Sequence, residues 1–225
     1  MDKGRIVNTL YDMSNKKRLS DMNRFGINTS NALGISIYTL RSFAKEIGIN
    51  HKLALDLWTT KIHEARILAS LIDDPMEVSE NQLEEWVLDF NSWDICDQCC
   101  SNLFDKTKFA YEKAIEWSYR EEEFVKRAGF VLMACLSVHD KKAKNEEFIG
   151  FFSRIVDECV DDRNFVKKAV NWALRQIGKR NYELNKIAIK TGKKILENDS
   201  KSAQWIGNNA LKELTSDKII KRLKN

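Results

Sequence analysis

A single proline and nine glycines serve 225 residues. An all-β chain draws on both for its many tight turns, so this supply excludes such a fold and suits long helices. No run of 18 apolar residues occurs, and no membrane-spanning helix is expected. The N-terminus is polar from Asp2 onward, without the apolar core of a secretory leader. Cysteine is scarce and odd in number. The five residues, Cys96, Cys99, Cys100, Cys135 and Cys159, stand in apolar surroundings. They are expected as reduced, buried thiols of an intracellular, cytoplasmic protein. Cys96 and Cys99 form a C-x-x-C, but neither a second pair nor a histidine pair follows at zinc spacing, so no metal is expected. His51, His63 and His139 are scattered, without a carboxylate or cysteine at ligand spacing, and are expected to be structural or exposed. A glycine-rich phosphate loop and a Ser/His/Asp arrangement are both absent.

What the chain does have is charge and helical periodicity. Charged residues make up 31% and hydrophobic ones 43%, an ordinary balance for a globular protein. The net charge of +4 and the pI of about 8.7 are only mildly basic, short of the value above about 9 usual for DNA-binding domains. The distribution of charge therefore matters more than its sum. Apolar residues recur at three- and four-residue spacing, predicting helices over 1–20, 36–48, 51–58, 61–72, 79–90, 91–104, 108–119, 122–138, 144–159, 165–179, 182–196 and 202–214. Gly48 is placed to close one helix, and Ser79 to cap another. Residues 23–34 read as a connector and the last residues as a charged tail. Period-two alternation is missing, so the fold class is all-α, in one domain over 1–225.

Phe124-Val-Lys-Arg-Ala128 and Phe165-Val-Lys-Lys-Ala169 match almost residue for residue. Their spacing falls within the range of about 40–47 residues of two-helix HEAT repeats. A degenerate helical-repeat solenoid with a concave binding surface is the expected architecture.

Two stretches carry candidate chemistry. In 91–104, Trp93 and Asp97 are one helical turn apart, beside an apolar stripe of Cys96, Cys100 and Leu103. A carboxylate there is partly desolvated, which makes it a liability or a tool. In 165–180, Lys168, Trp172, Arg175 and Lys179 share one face, and the segment holds no acidic residue. Cations around a tryptophan suit a phosphate backbone, with the ring free to meet a sugar or base. The alternative is a solvated face with a snorkelling tryptophan. Arg127 occupies the repeat position equivalent to Lys168 and is expected on the same wall. Asp94 either pairs with Asp97 or caps or bonds a neighbouring helix. Trp58, Trp86, Trp117 and Trp205 are expected in the core. Asp161 and Asp162 are expected to cap the basic helix.

Taken together, Ser-Trp-Asp-x-x-Asp at 92–97, Lys-Arg-Ala at 126–128 and Phe-Val-x-Lys-Ala-x-x-Trp-x-Leu-Arg at 165–175 resemble the DNA alkylation repair family, the AlkD-type glycosylases. Leu-Gly-Ile at 33–35 and Leu-Trp at 57–58 fit the same order, and the resemblance runs from about residue 20 to 215. It implies a HEAT-like solenoid whose basic concave face binds duplex DNA containing alkylated bases. It also implies excision of cationic N3- and N7-alkylated purines without metal or organic cofactor; separately, a monomer is expected. By position, Asp97 matches the catalytic carboxylate, and Trp93 and Trp172 the aromatics around the lesion. Arg127 matches a residue that holds the backbone, with Lys168, Arg175 and Lys179 as further DNA contacts. One departure is Phe25, at a position where the family often has tyrosine. Two other readings stay open: a non-catalytic HEAT-like protein that binds damaged or branched DNA by shape, and a protein-binding scaffold.

Overall fold

The computed structural model describes residues 1–224, and every regular element among them is helical. In order these are α1 (Lys3–Asp12), α2 (Leu19–Arg24), α3 (Ile37–Ile47), α4 (His51–Trp58), α5 (His63–Ile72), α6 (Glu80–Leu88), α7 (Trp93–Asn102), α8 (Ala110–Ser118), α9 (Glu123–His139), α10 (Asn145–Ile149), α11 (Phe151–Asp157), α12 (Asn164–Gly178), α13 (Tyr182–Ile195), α14 (Lys201–Leu214) and α15 (Asp217–Lys224). Polar side chains with a spare acceptor stand at several starts. The amides of Thr39, Leu53, Gln82, Leu184 and Ala203 donate to Ser36, Asn50, Ser79, Asn181 and Ser200, satisfying N–H groups that a helix cannot pair internally. The expected helix over 1–20 breaks after Asp12, and a short α2 forms at the edge of the expected connector. The expected helix over 144–159 divides at Gly150, a poor helix former, and the charged tail folds as α15.

The helices form two compact units, residues 1–108 and 109–225. In the first, α5 packs against α3, α4 and α7 and is almost wholly buried. It carries His63, Glu64, Arg66 and Ser70 into that interior, and the first three reach other segments. The Glu64 carboxylate accepts from the amides of Leu33 (2.8 Å), Gly34 (2.7 Å) and Ile35 (3.2 Å). Arg66 donates to the Asp89 carboxylate (2.7 Å) and carbonyl (3.0 Å) and lies over Trp58, which stacks on Trp86 at 4.0 Å. The His63 Nε2 meets Asp94 at 2.8 Å. Gly34 has φ +76°, and a Cβ there would lie 2.2 Å from the Asn15 carbonyl oxygen, so the 33–35 turn requires glycine.

In the second unit, α9 is the central helix, buried from Val125 to Ser137 and packed on α8 and α12. A Cβ on Gly129 would lie 2.6 Å from the Ser118 amide nitrogen, so this glycine permits the close approach of α8 and α9. Buried Arg154 donates to the Ser118 carbonyl (3.0 Å) and to Glu158 (2.7 Å), and Glu158 also receives Lys126 (2.9 Å). The repeat seen in the sequence is real in space: Phe124 and Phe165, which open its two copies, meet with ring centroids 5.6 Å apart. Trp58, Trp86 and Trp117 are buried, but Trp205 is 39% exposed. The buried stripe of α14 is Ala203, Ile206, Gly207, Ala210 and Leu214, and Trp205 lies off it with the Lys167 ammonium over its ring at 5.4 Å. Asp161 does not cap α12 either. It binds the backbone and guanidinium of Arg163 at the start of that helix.

Two consequences are measurable. Replacing Glu64 by alanine strands three amides and is expected to cost on the order of 3 kcal/mol, read as a lower urea midpoint; an unchanged midpoint would remove the carboxylate from the fold's support. The second concerns His63. Burial depresses its pKa, but the hydrogen bond and charge of Asp94 outweigh this, and the net value is raised. Its contribution is therefore full below the unfolded value of about 6.5 and lost as pH rises through the folded one. Stability is expected to fall with pH across that window in the parent and less steeply in His63→Gln, and equal slopes would contradict it.

Candidate functional site

On α7 the sequence segregates two faces. Ile95, Cys96, Cys99 and Cys100 are buried, which fixes the rotation of the helix. The opposite side carries Trp93, Asp94, Asp97 and Gln98, all partly exposed. The Trp93 Nε1 donates to the Phe25 carbonyl (3.0 Å), so the indole is held at its edge while part of its surface stays open. Phe25 is 62% exposed with the Arg24 guanidinium 5.3 Å from its ring. Phe25 thus stands beside Trp93.

The two carboxylates of α7 have different surroundings. Asp94 receives the Ser92 hydroxyl (2.6 Å) as well as His63, on the neighbouring helix α5. Burial would raise its pKa, yet His63 and Ser92 overcome this and hold it below the ordinary carboxylate value. Asp94 is therefore ionised and occupied by structural bonds. Asp97 lies one turn after Trp93 at partial burial, on the same side of α7. His51, on Asp73 (2.6 Å), and His63, on Asp94, took those partners from distant positions that no local spacing reveals.

On α12, Val166, Ala169, Val170, Ala173, Leu174 and Ile177 are buried, so the other face presents Lys168, Trp172, Arg175 and Lys179. Lys168 is exposed and Trp172 half-buried. Arg175 and Lys179 both reach Glu213 of α14, each at 2.6 Å. Burial would raise the Glu213 pKa, but the bonds from Lys179 and Arg175 outweigh it and hold the group ionised. The face thus carries a carboxylate that the α12 segment alone does not show. The pairing follows a 38-residue register between α12 and α14, shared by Asn171 with Asn209 (2.8 Å) and Lys167 with Trp205. The sequence repeat between α9 and α12 has a different period and could not reveal it. Arg127 is buried, and its Nη1 donates to the Phe165 carbonyl (2.6 Å). It and Lys168 are equivalent in sequence but not in exposure, and Arg127 ties α9 to the start of α12. Among the described residues, no three His, Cys, Asp or Glu side chains converge to hold a metal, and no helix is long and apolar enough to cross a membrane.

The family model described as DNA alkylation repair enzyme matches residues 6–214. No curated protein matches the chain. A solved structure, described as "a new family of proteins related to the HEAT-like repeat DNA glycosylases with affinity for branched DNA structures", resembles it with a TM-score of 0.76. The likeness covers 92% of this chain and 93% of that one at 19% identity, and it establishes the all-helical, HEAT-like fold. The chain belongs to the DNA alkylation repair enzyme family.

Proposed function

We propose that the protein is a monofunctional DNA glycosylase that hydrolyses the N-glycosidic bond of cationic alkylated purines in duplex DNA, with Asp97 as its carboxylate. The observation that carries this reading is the arrangement on α7. A half-buried carboxylate stands one turn from a partly open indole, on a helix pinned by buried thiols and by the His63–Asp94 pair. An N3- or N7-alkylated purine is already cationic, so it leaves with the electron pair of its bond to C1′ and needs no general acid. The developing oxocarbenium ion needs a fixed negative charge and a positioned water. One carboxylate can supply both, stabilising the cation and then accepting a proton as the water oxygen bonds to C1′. The products are an abasic site and a neutral free base. In the same reading Trp93 and Trp172 offer indole faces to the cation, worth about 0.5–2 kcal/mol each. Arg127, Lys168, Arg175 and Lys179 are assigned to the backbone, with exposed Lys168 as the direct phosphate contact.

A second reading has one observation in its favour: the solved structure of similar fold is described by affinity for branched DNA. In that reading the protein binds damaged or branched DNA by shape and releases no base.

Release of N7-methylguanine from a duplex separates the two. The parent is expected to release the base, and Asp97→Asn to slow it by about 100-fold or more while still binding DNA. Binding without release by the parent would favour the shape reader, and undiminished release by the variant would exclude Asp97. Removing charge from α12 has a signed effect as well. Lys168→Ala is expected to weaken binding to any sequence and to flatten the salt dependence by about 0.9 in log–log slope. Glu213→Gln, which frees Arg175 and Lys179, is expected to strengthen binding several-fold and to steepen that slope; a loss of affinity would mean that Glu213 serves to hold the two cations in a binding geometry.

A further inference from the structure

The second unit contains a cleft of ≈ 620 Å³ that the proposed chemistry does not use. It lies where α9 and α12 end and α13 begins, with Arg222 and Leu223 of α15 along one side. Among the described residues its lining holds Lys141, Lys179, Arg180 and Arg222 and no carboxylate. Arg180 donates to the carbonyls of Ser137 (3.0 Å) and Ala143 (2.8 Å) and lies over Phe148 at 4.6 Å. Arg222 donates to the Lys179 carbonyl (2.6 Å). Neutral carbonyls orient both guanidinium groups without cancelling their charge. Each guanidinium has five N–H donors, so several remain for a ligand. Asp140 feels the charge of Arg180, but its carboxylate is occupied by Tyr111 and by the amides of Lys142 and Ala143. Lys141 and Arg222 are exposed.

We propose that this cleft is a second backbone contact for DNA, taking phosphates several base pairs beyond those at Lys168. The inference rests on the reading that the α12 face meets DNA. Lys179 joins the two, because it belongs to that face and also lines the cleft. From Lys168 to Lys179 the helix rises about 16 Å at about 1.5 Å per residue, which matches roughly five base pairs along a duplex. A polyanion is favoured over a lone small anion for a physical reason. Two helix C-termini, with their partial negative charge, end at the cleft and oppose a single anion, whereas a backbone engages several of the cations together. Arg180 acts partly as a clamp on the Ser137 and Ala143 carbonyls, but that role does not account for Lys141 and Arg222 on the same cleft.

The test compares parent protein with the double variant Lys141→Ala/Arg222→Ala on unmodified duplexes of roughly 8 and roughly 20 base pairs, over a range of salt. The double variant is expected to bind the longer duplex about tenfold more weakly, with a log–log salt slope flatter by about 1.8, and to bind the shorter one like the parent. Lys141→Arg/Arg222→Lys, which keeps both charges, is expected to restore binding to the longer duplex. The readout is binding and not base release, so failure of Asp97 as the catalytic group would not touch this result. Parental slope and affinity of the alanine variant on the longer duplex would overturn the inference alone. Equal losses on both lengths would also overturn it, since the cations would then support the primary contact or the fold. Displacement of the longer duplex from the parent, but not from the alanine variant, by inorganic phosphate at constant ionic strength would assign the cleft to a small anion. Absence of DNA binding by the parent would overturn both this inference and the reading beneath it.

Discussion

The first unit depends on the bond between His63 and Asp94. A buried imidazole meets a half-buried carboxylate at 2.8 Å, and the two lie on different helices. Either group alone would be costly at that depth; as a pair they fix the start of α7 against α5. Because α7 is short and its other side is apolar, fixing its first turn sets the direction of everything one turn later, Asp97 included. The same helix α5 carries Glu64 to the 33–35 turn and Arg66 to Asp89. One buried helix therefore fixes the 33–35 turn, the end of α6 and the start of α7 through polar contacts, while its apolar residues hold the layers together.

The second unit follows the same logic with the signs reversed. Its internal carboxylates, Glu158, Asp161 and Glu213, each hold cations that a count of lysines and arginines would assign to a ligand. The charge that faces outward is what remains after these pairings. Arg127 and Lys168, alike in the sequence repeat, have different surroundings: one lies against a backbone carbonyl between helices, the other in solvent.

Most of the helices were legible in the sequence because their signals are local. Periodicity, N-caps and Gly48 place α3, α4, α6 and α7 within a residue or two of where they lie. The apolar stripe of α7 likewise identified which residues turn inward. What was not legible is long-range pairing. His51 with Asp73, His63 with Asp94, and Arg175 and Lys179 with Glu213 join positions between 22 and 38 residues apart, and only the packing of helices brings them together. Trp205 failed for a different reason. It was expected on an apolar stripe, whereas the buried side of α14 is formed by small and aliphatic residues and leaves Trp205 off it.

The cysteines lead to a separate point. All five are free and buried, and burial pushes the Cys99 thiol well above its usual pKa and that of Cys159 up as well. Electrophilic alkylating agents react with thiolates rather than thiols. Sulfur that is buried and held protonated is therefore a poor target for such agents. The packing that anchors α7 therefore also shields its thiols, Cys99 above all, from such agents.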